Sequence, residues 1–144
     1  MDCSTEFFIA SDDEVAAQVK GTEAGRAFES LPGGAYDPAD VVVEWESLFT
    51  GAHAHALMQA GEPRFVTEVT NDGCCVFVVS RNLVTSLATS DRTTLEAIAR
   101  QWAHMRQEDG EDIGEDEAVR HLGELARLAA SAIRQGERLY CSVT

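Results

Sequence analysis

The chain opens on an alternating stretch. In residues 3–10, CSTEFFIA, the side chains of Cys3, Thr5, Phe7 and Ile9 share one side, and aromatic and β-branched residues dominate, which predicts a strand. Ser11 follows, with Glu14 three residues on. This capping-box spacing predicts a helix that carries Val15 and Val19 on one face and stops at Gly21. Residues 22–36 have no clean period. Ala27, Phe28 and Leu31 fit a short packed turn, and Pro32, Gly33 and Gly34 a loop.

The next signal is local chemistry. Asp37-Pro38 predicts a helix start, because Asp can accept the orphan N–H groups and Pro has the backbone angle of a first helical residue. Val41, Val42, Trp45, Leu48 and Phe49 then repeat at helical spacing up to Gly51. Three consecutive valines would suit a strand, but cap, spacing and length favour the helix. A short helix is expected over 53–60. Arg64 to Thr70 alternates, Asn71-Asp72-Gly73 has hairpin-turn chemistry, and Cys74 to Val79 is a continuous apolar run. Residues 64–79 therefore read as a β-hairpin whose second strand is buried on both faces.

Ser80 is placed to cap a helix with Leu83, Val84 and Leu87, and Ser90 a second with Leu95, Ile98, Ala99, Trp102 and Met105. An acidic loop, QEDGEDIGEDE over 107–117, leads into the clearest helix, with Val119, Leu122, Leu125, Ala126, Ala129, Ala132 and Ile133 in register. Its first turn is acidic, Arg134 lies in its last, and Gly136 ends it, all matching the helix dipole. Arg138 to Thr144 closes the chain as a strand with Leu139, Cys141 and Val143 on one side.

The expected fold class is α+β: a small mixed or antiparallel sheet, made of the N-terminal strand, the 64–79 hairpin and the C-terminal strand, with about four to six helices packed on it. The two terminal strands are expected to be neighbours, which ties down both ends. No repeat or linker divides the chain, so 1–144 reads as one domain.

Composition narrows the partners. The 144 residues carry a formal net charge of −14, with 25 Asp and Glu against 11 Lys and Arg. Such a chain repels phosphate backbones and anionic lipid, which argues against nucleic-acid and membrane-surface binding and would suit a basic protein partner. No stretch approaches the roughly 20 apolar residues of a membrane span, and Asp2 and Glu6 stand where a signal peptide would be basic. The expected compartment is the cytoplasm, where Cys3, Cys74, Cys75 and Cys141 remain thiols.

Candidate chemistry is sparse. His53 and His55 would share a face on a strand but not on the helix predicted here, and no C-x-x-C or H-x-x-x-H spacing joins them to His104, His121 or the cysteines. Cys74-Cys75 lies in an acidic neighbourhood that disfavours a thiolate. The 108–117 loop lacks the ligand order of a calcium loop. No nucleophile elbow, P-loop or dinucleotide fingerprint is present. Trp45 and Trp102 sit on apolar helix faces as core. No catalytic, metal or cofactor residue is assigned.

The stretch LGELARLAASAIRQGERLYCSV, residues 122–143, and the N-terminal strand running into SDDE resemble small bacterial proteins of the YfbM-like kind and similar small actinobacterial proteins. The resemblance covers the two ends and implies no catalytic residue to carry over. The function expected is a non-enzymatic acidic protein-interaction module. The alternative is an enzyme whose pocket gathers His, Cys or carboxylate groups.

Overall fold

Phe7 and Phe8 are adjacent and both fully buried, so the strand that carries them is covered on both faces. In the computed structural model, which describes residues 5–18, 29–33, 37–67 and 74–143, this strand is β1 (Thr5–Ala10). It lies inside a five-stranded antiparallel sheet with β2 (Ser30–Pro32), β3 (Arg64–Phe65), β4 (Cys75–Val78) and β5 (Arg138–Val143), in the order β2-β1-β5-β4-β3. The first and last strands pair along their whole length, from Thr5 opposite Val143 to Ala10 opposite Arg138. The α+β class and the adjacency of the terminal strands are therefore as the sequence predicts.

Register divides the side chains between two layers. One row crosses all five strands as Leu31, Phe7, Cys141, Phe77 and Phe65. Apart from exposed Phe65 at the edge, this row packs with Ile9, Leu139 and Val79 under α2 (Pro38–Thr50), α4 (Arg81–Thr89), α5 (Arg92–Glu108) and α6 (Glu115–Gln135). The opposite row is Ser30, Phe8, Tyr140, Val78 and Arg64. There Phe8, Ala10, Val76 and Tyr140 pack with Ala16 of the short α1 (Asp13–Ala17). Phe8 stacks on Tyr140 at 5.7 Å between ring centroids.

Asp13 ties the second layer together. Its carboxylate accepts from the Tyr140 hydroxyl (2.8 Å) and from Arg64 Nη1 (3.0 Å), with Arg138 Nη1 at 3.7 Å. The Arg64 and Tyr140 hydrogen bonds hold the carboxyl below its usual range. Burial and the neighbouring carboxylate push the Tyr140 phenol above its own, so the pair stays a charged acceptor and a neutral donor.

Local signals place most helix ends. The Asp37 carboxylate accepts from Ala39 N–H (3.0 Å), and Gly51 ends α2 in the left-handed region at φ 79°. All three valines 41–43 are buried within that helix. The short α3 (Ala54–Gln59) follows as expected. Gly136, at φ 67°, ends α6 in the same way.

Several expectations are corrected. The cap of α1 is Asp12, whose carboxylate accepts from Val15 N–H at 2.9 Å, rather than Ser11. That shift puts Asp13 in the first turn, where the dipole and the two arginines favour it. Val19 and Gly21 lie outside the described residues. Ser90 does not cap α5; its hydroxyl donates to the Ser86 carbonyl at the end of α4, and Asp91 caps α5 through Thr94 N–H at 2.8 Å. The 107–117 loop is shorter than its composition implies, because α5 runs on to Glu108.

The 64–79 hairpin forms, but β3 has only two residues, with Val66 N–H donating to the Val76 carbonyl (2.9 Å) and Val76 N–H to Thr67 Oγ1 (2.9 Å) just beyond it. Its Asn71-Asp72-Gly73 tip lies outside the described residues. β2 was not expected at all. Three residues ending in Pro32 carry no period, and only pairing with β1 makes them a strand, at an edge that tolerates proline.

Candidate functional site

The histidines and cysteines singled out in the sequence do not converge. His53 precedes α3 without a side-chain capping bond, and His55 reaches Gln59 at 3.0 Å within the same exposed turn. Exposed His104, on α5, stands 4.0 Å from Glu115. Cys74 is half-buried before β4, while Cys75 and Cys141 are buried on the helix-covered face. Burial pushes the Cys141 thiol well above its ordinary range. Cys3 lies outside the described residues. Among the described residues, no three His, Cys, Asp or Glu side chains gather in a way that could hold a metal ion.

His121 is the histidine with a specific setting. It sits on α6 with its ring 6.2 Å from Phe7 and 5.9 Å from Trp45, and Trp45 stands edge-on to Trp102 at 5.3 Å. Its Nε2 meets the Pro32 carbonyl at 3.1 Å, and since a carbonyl only accepts, Nε2 carries the proton. Burial lowers the affinity of the ring for a second proton, against the opposing pull of the Pro32 carbonyl, Glu124 and Glu117. A cleft of about 290 Å³ beside it is walled by Trp102, Ile113, Glu117 and Arg120. The imidazole is thereby committed to joining α6 to the β2 edge.

A second cluster surrounds a buried carboxylate. Glu46 on α2 is only 4% exposed, and among the described residues no arginine pairs with it. Its compensation is the Ser80 hydroxyl, which donates to it while accepting Leu83 N–H (3.1 Å) as the cap of α4. The carboxylate thus faces the positive end of a helix.

Glu62 lies near enough to feel Glu46. Partial burial, and then the Glu46 charge, raise its pKa, with Arg64 opposing. A folded-state pKa above the unfolded one means the native state holds the proton longer, so this group loses stability as pH rises through that window. Glu62→Gln is expected to be more stable than the parent at neutral pH by less than about 1 kcal/mol, because Glu62 keeps much of its solvent. Urea melts should show the gap closing below the ordinary glutamate range; a gap that persists there would assign the effect to packing instead.

Seven carboxylates lie between Glu108 and Glu117, around the turn from α5 to α6. Glu115, Asp116 and Glu117 belong to the first turn of α6, where the dipole favours them. Glu108, Asp109, Glu111 and Asp112 are exposed at the other helix's negative end. Among the described residues, Glu111 alone of these four forms an ion pair, with Arg106 Nη1 at 3.1 Å. Arg106 is held in turn by Glu44 (2.9 Å), which also accepts from Trp102 Nε1 (2.9 Å), so the base of the turn is anchored in the core.

Cations line the outside of α6. Arg120, Arg127 and Arg134 are exposed at seven-residue intervals, and clefts of about 540 and 410 Å³ flank the row on its two sides. This row is missed when the sequence is read for core periodicity, although its spacing is visible there. No helix among the described residues is long and apolar enough to cross a membrane. Comparison of the chain with protein-family models, with curated proteins and with solved structures returned no match.

Proposed function

We propose that the chain is a non-enzymatic protein-interaction module of the cytoplasm that docks a basic partner protein on the turn between α5 and α6. The observation that carries this reading is the position of Glu108 and Asp109. They sit at the carbonyl end of α5, where a carboxylate opposes the helix dipole at a cost of about 0.3–1 kcal/mol each. Glu111 and Asp112 follow within three residues and add like-charge repulsion. Helix formation explains the acids of α6 but not these four. A basic surface docking there would relieve the repulsion, and its attraction would weaken as salt rises.

The test is affinity capture from a native lysate at low salt, with the parent chain and a Glu108→Gln, Asp109→Asn, Asp112→Asn variant as parallel baits. All three side chains are exposed and make no ion pair among the described residues, so the variant should fold. The expected result is a stoichiometric basic protein that leaves the parent as salt is raised and is absent from the variant. Identical protein sets on both baits would overturn the reading.

A further inference from the structure

Five arginines among the described residues are paired: Arg64 and Arg138 with Asp13, Arg92 with Glu96, Arg100 with Glu115, and Arg106 with Glu44 and Glu111. Among the described residues, Arg120, Arg127 and Arg134 form no ion pair. In a molecule of net charge −14, cations left unpaired in a row need an account. Their seven-residue spacing puts them about 10 Å apart on one ridge, drifting by only ~20° per step. Exposed Glu117 and Glu124 form a parallel row beside them.

The geometry points to a two-fold homodimer in which α6 of one copy lies antiparallel on α6 of a second. An axis at the level of Leu125 and Ala126 sets Arg127 opposite the partner's Glu124 and Arg134 opposite the partner's Glu117. The same register sets Arg120 opposite the partner's Ser131, whose hydroxyl is bonded to Glu29 at 2.8 Å. Arg127 and Arg134 therefore each meet a carboxylate, twice over by symmetry, as a self-complementary interface requires, while Arg120 faces a buried hydroxyl and adds no pair. The two clefts meet at Glu124, Arg127 and Ala130, beside that axis. Leu87, Leu95 and Val119 line the larger one, so ridge side chains of the second copy would find apolar walls as well as charge.

The contact is small. A 21-residue helix presents a strip about 30 Å long and ~10 Å wide, roughly 300 Å² per copy, below the ~800 Å² of a standard stable interface. The dimer is accordingly weak. It forms best near physiological salt, where the repulsion between two distant acidic bodies is screened but contact pairs survive. It uses a different surface from the 108–112 acids, so each proposal can fail without the other.

The test is sedimentation equilibrium of the full chain up to about 1 mM, in the range where weak association is measurable. The parent should dimerise. Arg127→Glu places like charges across the axis and should weaken the dimer by tenfold or more, and adding Glu124→Arg should restore it to within a few-fold of the parent. Thermal melts of both variants show whether the fold is kept. A parent that stays monomeric overturns the proposal and leaves the arginine row to an acidic partner helix. A dimer indifferent to Arg127→Glu, or a folded double variant that fails to recover, overturns it equally.

Discussion

Trp45→Ala should destabilise the fold by about 3–5 kcal/mol, among the largest losses expected from a single truncation in this chain. Trp45 is 1% exposed in the middle of α2. Its ring reaches Trp102 of α5 at 5.3 Å, His121 of α6 at 5.9 Å and Phe7 of β1 at 6.4 Å. Four elements therefore share one side chain, and its removal leaves a void that none of them can fill alone. The surrounding rings are stiff and lie in a close-packed layer, so relaxation recovers little.

For a domain of this size the melting temperature should fall by about 10 °C. Trp45→Phe, which keeps a ring in place, should cost markedly less. Ile133 on α6 is 51% exposed, and Ile133→Ala should stay within about 0.5 kcal/mol. Calorimetry or urea melts of the three variants check the order. If Trp45→Ala and Ile133→Ala proved alike, the packing of α2 against α5 and α6 would be wrong.

Ser80→Ala should cost about 2–4 kcal/mol, more than loss of a helix cap alone, because one hydroxyl serves two groups. It accepts Leu83 N–H at the start of α4, a capping bond worth ~1 kcal/mol. It also donates to the carboxylate of Glu46, which is buried and would be left short of a donor, at a further cost of about 1–3 kcal/mol. Asp91 provides the internal comparison. It caps α5 through Thr94 N–H but does so at the surface, so Asp91→Ala should lose markedly less than Ser80→Ala. Adding Glu46→Leu to Ser80→Ala should recover part of the loss, since an apolar side chain needs no donor. Equal costs for Ser80→Ala and Asp91→Ala would show that the Glu46 contact contributes nothing.

These two sites differ in how visible they are before folding. Trp45 was legible: helical spacing after Asp37-Pro38 places it on the apolar face with Val41 and Val42. The capping role of Ser80 was legible too, because caps act over three residues. Its bond to Glu46 spans 34 residues, and nothing in the pattern around either partner announces it. The same distinction explains the misplaced caps. Ser11 and Ser90 satisfy the capping pattern as well as Asp12 and Asp91 do. Which residue caps was decided by Asp13 finding Arg64 and Tyr140, and by Ser90 finding the Ser86 carbonyl.

The candidate surfaces follow this rule. The crowding of acids over 108–117 is plain in the sequence, but part of it is ordinary helix-start chemistry. Only the extension of α5 to Glu108 reveals which carboxylates oppose a dipole. The seven-residue spacing of Arg120, Arg127 and Arg134 is likewise plain. That no acid from another element pairs with them among the described residues is known only once the chain has crossed itself.

What the sequence determined by itself was the α+β class, the helices and most of their ends, and the first and last strands as elements. These rest on side-chain periods and capping bonds that act within one or two turns. Tertiary structure alone decided β2, the two-residue β3, the aromatic setting of His121 and the burial of Glu46. Each of those depends on which distant segment arrives to supply a hydrogen bond or remove water. Those energies belong to pairs of segments, and no local pattern of hydrophobic and polar positions can carry them.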